Sequence, residues 1–131
     1  MSYYQRSFRR YPMLKKYCGF KKIYIACGYT DLRNRINGLA SIIQNHLSLN
    51  PFDEGTLFLF CGRKTNHMKG LLWETDGFLL LYKRLEEGRF QWPRKTEDIE
   101  NISVEQYRWL LECMAITQRK TIQKVGRKMI L

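Results

Sequence analysis

Apolar and polar positions alternate in short runs along most of this chain, and their period changes in an order that predicts strand, helix, several strands and helix. Residues 22–27 place Ile23, Ile25 and Cys27 on one side of an extended segment, with Tyr24 and Ala26 on the other. Gly28 and Tyr29 end it. Leu32, Ile36, Leu39, Ile43 and Leu47 then recur at the three- or four-residue intervals of one helical face. Thr30 stands as the expected N-cap and Asp31 at the positive end of the helix dipole. Asn50-Pro51 stops this helix near Ser48, because proline lacks a backbone donor and disfavours helical geometry just before itself.

The next run, Thr56–Cys61, is apolar on both faces, as a central strand would be. A polar turn bearing Arg63 and Lys64 follows. Extended segments over 68–74 and 78–83 flank Thr75-Asp76-Gly77, where Gly77 offers the positive φ of a tight hairpin. A second reversal at Glu86-Glu87-Gly88 predicts a further strand over 89–92, with Phe90 and Trp92 on one face and Arg89 and Gln91 on the other. Pro93 closes this meander. Ser103 and Gln106 have capping-box spacing, and Tyr107, Leu110, Leu111 and Met114 make an apolar stripe, so a second helix is expected over 104–115. The expected fold class is α+β. One domain carries a mostly antiparallel sheet in the order β-α-β-β-β-α, with a C-terminal β-meander, under two amphipathic helices.

At 131 residues, with 44% hydrophobic positions, the chain can bury a core without metal or disulfide staples. No apolar run approaches the roughly 20 residues of a membrane helix, and the basic N-terminus lacks the apolar stretch of a secretory signal. Charge divides the chain further. The formal net charge is +11, and it comes almost wholly from the ends: residues 1–22 carry seven Lys or Arg and no acid, and residues 117–131 carry five and no acid. This suggests a basic aromatic N-terminal arm (1–22), a near-neutral domain (23–116) and a basic C-terminal tail (117–131). Such arms suit sequence-blind contact with a polyanion. Nucleic acid is favoured over anionic lipid, since neither arm shows a clear amphipathic helix and no lipidation motif is present.

The domain hides a basic region of its own, with eight cations between Arg63 and Lys95 against Glu74, Asp76, Glu86 and Glu87. Aromatic residues are interleaved with them, which is the composition of a surface that holds phosphates and stacks on bases. The candidate nucleic-acid contacts are Arg33, Arg63, Lys64, Lys69, Trp73, Lys83, Arg84, Arg89, Trp92, Arg94 and Lys95. The competing reading is a hairpin whose aromatics are core and whose cations are merely solvated. Cys18, Cys27, Cys61 and Cys113 include no C-x-x-C pair, so reduced thiols are expected, with no metal and no cofactor. A metal-dependent nuclease would need carboxylates such as Asp31, Asp76 and Glu86 or Glu87 to converge. They lie in an expected helix cap and two turns.

An ordered set of motifs supports a comparison. Asp31-Leu32-Arg33 with Gly38-Leu39, Asn50-Pro51-Phe52, Leu57-Phe58-Leu59-Phe60 with Gly62-Arg63-Lys64, Lys69 through Trp73 to Asp76-Gly77-Phe78, Tyr82-Lys83-Arg84-Leu85-Glu86, Gly88-Arg89-Phe90 and Trp92-Pro93 together resemble the small accessory protein, TnpB, of the insertion sequence 66 family. That protein is unrelated to the RNA-guided nuclease sharing its name. The resemblance runs from about residue 22 to 115. It implies a non-catalytic bacterial, cytoplasmic factor, nucleoid-associated when bound to DNA, that assists a separate DDE-type transposase. It directs attention to Asp31, Arg33, Arg63, Lys69, Trp73, Asp76, Lys83, Arg84, Arg89 and Trp92. Asn66, Gly70 and Glu74-Thr75 depart from the usual pattern, the last where a second aromatic is more usual beside Trp73. DNA and the transposase are the expected partners. The alternative is an adaptor that binds the transposase with little DNA contact. Gathering of Lys69, Lys83, Arg84 and Arg89 on one open face favours DNA binding, and their dispersal among acids favours the adaptor.

Overall fold

Six consecutive buried residues, Thr56–Cys61 (β2), run through the middle of a five-stranded sheet in a computed structural model that describes residues 19–118. The other strands are β1 (Lys22–Ala26), β3 (His67–Glu74), β4 (Gly77–Arg84) and β5 (Ile99–Ile102), and the sheet order is β4-β3-β2-β1-β5. Only β1 and β2 are parallel, with Ile23 opposite Leu57; every other pairing is antiparallel. A parallel pair needs a crossover. Here it is supplied by α1 (Ile36–Ser41), which runs on into a π-helical turn over Ile42–His46.

Alternation along the strands sends two sets of side chains to opposite faces, and each face is covered. Leu39 and Ile43 of the crossover pack with Ala26, Phe58, Phe60 and Leu71. On the other face, Tyr107, Leu110 and Leu111 of α2 (Val104–Leu111) pack with Ile23, Ile25, Leu57, Leu59, Met68 and Leu81. The sheet is thus the middle of three layers. Gly70 lies where β3 meets this second core. A Cβ there would stand 3.2 Å from Leu57 Cδ1 and 3.4 Å from Leu59 Cδ2.

The expected α+β class and its two covering helices are present. The capping box of α2 is formed on both sides: the Ser103 hydroxyl accepts from the Gln106 backbone N–H at 3.1 Å, and the Gln106 side chain accepts from the Ser103 N–H at 2.8 Å. This helix ends at Leu111 rather than 115, because Cys113 takes a left-handed φ of 61°. The crossover ends in the same way, with Ser48 at φ 56° so that the Leu49 N–H reaches the Ile43 carbonyl at 2.9 Å.

Three local expectations need correction. Thr30 caps no helix: its N–H donates to the Cys61 carbonyl at 2.7 Å, and α1 begins only at Ile36 because residues 31–34 form a separate turn around Asp31. Gly77 has no positive φ, since Thr75-Asp76 alone make the turn and Gly77 already pairs with Glu74. Residues 89–92 form no strand. Phe90 and Trp92 are both buried, as their alternation suggested, but the segment crosses the sheet end, with the Phe90 N–H on the Thr65 carbonyl at 2.7 Å. The fifth strand is instead β5, on the far edge beside β1. The greater part of both basic arms lies outside the described residues.

Candidate nucleic-acid interface

Parallel pairing brings the carboxyl ends of β1 and β2 side by side, so the connection leading into α1 and the turn leading into β3 meet at one end of the sheet. Open α/β sheets commonly bind ligands just beyond such strand ends. Here the Thr30 N–H on the Cys61 carbonyl fixes the two connections together. Between them lies an open cleft of about 690 Å³, lined by Asp31, Leu32, Arg33, Gly62, Arg63, Lys64, His67, Lys69 and Tyr82. Four cationic side chains face it against one carboxylate.

That carboxylate is committed. Asp31 accepts the Arg33 backbone N–H at 3.0 Å and its guanidinium at 2.7–3.1 Å, a local clamp that holds the Asp31 pKa at about 2 and raises that of Arg33. The Arg33 side chain is nevertheless 91% exposed. Arg63 is positioned differently, donating to the Tyr29 hydroxyl at 2.6 Å with its guanidinium carbon 4.5 Å from the centre of the Tyr29 ring. Both contacts leave its charge available to an anion. Lys64 is exposed on the same turn.

Lys69 forms the cleft's inner wall and corrects the expectation of a free phosphate contact. Its ammonium donates to the carbonyls of Leu32 at 2.6 Å and Asn34 at 2.9 Å, holding the loop before α1 against β3. Trp92 is a second correction. It is 8% exposed, and its Nε1–H donates to the Ala26 carbonyl at 2.8 Å, which makes it a core residue that ties residues 89–92 to β1. Trp73 lies toward the hairpin end of β3, edge-on to Phe52 at 5.1 Å and to Phe78 at 4.9 Å. Phe52 and Phe78 also contact each other, with ring centres 5.2 Å apart, so the three rings form one cluster.

The remaining candidates are scattered. In register, Lys83 stands opposite the core residue Met68 and so belongs to the sheet face away from Lys69. Arg84 pairs with Glu86 at 3.1 Å, Lys95 with Glu100 at 2.8 Å, and Arg89 and Arg94 are exposed in the segment after β4. Lys69, Lys83, Arg84 and Arg89 therefore share no single face. The cations that do meet are Arg33, Arg63, Lys64 and Lys69. Among the described residues no three His, Cys, Asp or Glu side chains stand together as a metal site would require, and Asp31, Asp76 and Glu86 occupy separate turns. No described helix is long and apolar enough to cross a membrane.

Tyr29, His67 and Tyr82 belong to the cleft neighbourhood although the sequence pattern does not mark them as sites. Tyr82 was detectable in principle. Counting back from a two-residue turn at Thr75-Asp76 sets Tyr82 opposite Lys69 and Arg84 opposite His67. The Tyr29–Arg63 contact joins two connections distant in sequence and carries no local signal.

The family model for IS66 Orf2-like proteins, TnpB_IS66, matches residues 21–121 of this chain. Among curated relatives, "Uncharacterized protein y4hO" of Sinorhizobium fredii (strain NBRC 101917 / NGR234) is 40% identical over 90 residues, covering 69% of this chain and 77% of that protein. "Uncharacterized protein y4jC" of the same organism is 26% identical over 99 residues, covering 76% and 84%. No solved structure matches.

Proposed function

The chain belongs to the IS66 Orf2-like family, and from that premise we propose that it aids movement of an insertion sequence by holding DNA at the cleft between the β1–α1 connection and the β2–β3 turn. Family membership supports a transposition accessory role. The observation that carries the DNA reading is the meeting of Arg33, Arg63 and Lys64 around one opening whose wall Lys69 fixes, and whose one carboxylate among the described residues is already paired with Arg33. Cations so placed bind phosphates and release the counterions condensed on them, without reading base sequence. The basic stretches 1–22 and 117–131 supply further phosphate contacts, and the assembly holds DNA for a separate transposase.

Equilibrium binding of a labelled duplex across a salt series tests this. The logarithm of affinity is expected to fall steeply with log salt. In the Arg63→Ala/Lys64→Ala variant the slope should shrink by about one for each phosphate that is no longer neutralised. An unchanged slope in that variant, or no duplex binding in dilute buffer, removes the cleft from the DNA reading.

A second reading, an adaptor that grips the transposase, is favoured by two features. Lys83, Arg84 and Arg89 are dispersed, and Phe52, at 51% exposure, caps an aromatic cluster with Trp73 and Phe78. Transposase capture that is abolished in Phe52→Ser and kept in Arg63→Ala/Lys64→Ala, with no duplex binding, selects this reading.

A further inference from the structure

Two tyrosines near the cleft keep about half of their surface in water: Tyr29 at 54% and Tyr82 at 53%. Tyr29 has a task, since it aims Arg63 through the 2.6 Å hydrogen bond and the ring contact. Tyr82 does not. Its ring lies on the cleft wall with the His67 ring 5.9 Å away and the Lys69 ammonium 6.0 Å away, at the outer limit of cation–π attraction. A large ring left half-exposed on an ordered strand, beside cations already fixed in place, is a ready surface for another flat group. Neither Trp73 nor Trp92 can serve here. Trp92 is buried and Trp73 is packed at the hairpin end of β3.

We propose that the cleft takes an unpaired nucleotide, with its phosphate on Arg63 and Lys64 and its base laid on the ring of Tyr82. This rests on the DNA reading above and names the form of DNA the site selects. The cleft is open to solvent, so a strand can lie across it with a base against the Tyr82 ring and a phosphate toward Arg63 and Lys64. A duplex keeps its bases stacked within the helix and can present only its phosphates to such a recess. An unpaired strand presents phosphate and base together, so it gains the stacking contribution that a duplex lacks. The basic arms attract the more densely charged duplex at least as strongly as the single strand, so a preference for the single strand is the signature of the cleft.

The test measures binding of the full chain to a short single strand and to the duplex of the same sequence, in the same buffer. The single strand is expected to bind more tightly. Tyr82→Ala should weaken single-strand binding by about ten-fold or more while leaving duplex binding within about two-fold, and Tyr82→Phe should retain the preference. A fluorescent aminopurine base in the strand, read with the unaltered protein, provides a measure that depends on no variant. Its emission should be quenched on binding as it stacks. Equal affinity for the two forms, or equal weakening of both by Tyr82→Ala, overturns the proposal and leaves the duplex reading standing. Failure to bind either form overturns both.

Discussion

The ammonium of Lys69 donates to the Leu32 carbonyl at 2.6 Å, so a residue that reads as surface charge on a strand serves to pin the loop in front of α1. A second bond, to Asn34 O at 2.9 Å, completes the clamp. Replacing Lys69 by Met keeps most of the stem and removes both charge-assisted bonds. The expected loss is about 1.5–3 kcal/mol of unfolding free energy, read from urea titration, whereas Lys64→Ala should stay within about 0.5 kcal/mol. A neutral Lys69→Met would show that the clamp contributes nothing to stability.

Trp92 fills a core position and satisfies a backbone carbonyl at once, through its 2.8 Å bond to Ala26. Trp92→Phe retains much of the apolar area but leaves that carbonyl without its indole donor. It should cost about 1–3 kcal/mol, and Trp92→Ala about 3–5 kcal/mol. If the two variants lose equal stability in chemical denaturation, the bond rather than the packing dominates at this site.

Tyr107 offers the opposite case. It is fully buried, its hydroxyl finds no hydrogen-bond partner among the described residues, and burial pushes its pKa above the ordinary phenol range. Tyr107→Phe removes a desolvated polar group and preserves the edge-on contact with Phe20 at 6.2 Å. We expect a gain of up to about 1 kcal/mol and a higher melting temperature. A loss of similar size would mean that the hydroxyl has a partner in solution.

Cys61 should be the slowest to react of Cys27, Cys61 and Cys113. Burial pushes its thiol up to about 12, while its Sγ donates to the His67 carbonyl at 3.2 Å. Only the thiolate attacks an alkylating reagent. At mildly alkaline pH, peptide mapping should therefore find Cys61 modified last, at a rate that follows unfolding. The folded state holds this proton more tightly than the unfolded chain does. Its effect on stability is accordingly constant below the ordinary thiol pKa of 9.0 and is lost as pH rises from there toward about 12. Early modification of folded Cys61 would contradict the burial.

Local signals survived into the fold where the local choice and the tertiary choice agree. Thr56–Cys61 reads as a buried central strand because both of its faces are apolar, and both faces are indeed covered. Ser103 and Gln106 announce a helix start because the capping box is made entirely by neighbours in sequence. Legibility failed where distant partners decided the outcome. Phe90 and Trp92 alternate like a strand, yet the Phe90 N–H goes to a turn carbonyl and the Trp92 side chain to the Ala26 carbonyl, and the short run Ile99–Ile102, with apolar residues only at its ends, became the strand because β1 offered it an edge. The candidate site shows the same division. Arg63 and Lys64 stood out as a basic turn, but their convergence with Arg33 follows from the parallel crossover, which no short window of sequence contains.

That crossover also governs how the chain must reach its shape. β1 finds both of its neighbours far along the chain, Ile23 lying opposite Leu57 on one side and Ile102 on the other. The β2–β3–β4 hairpins, joined by short turns, need far less loop closure and can assemble first. During synthesis the earliest made of the described strands is therefore among the last to be secured. Its Ile23 and Ile25 remain open to wrong company until the ribosome has released enough chain for β5 to arrive.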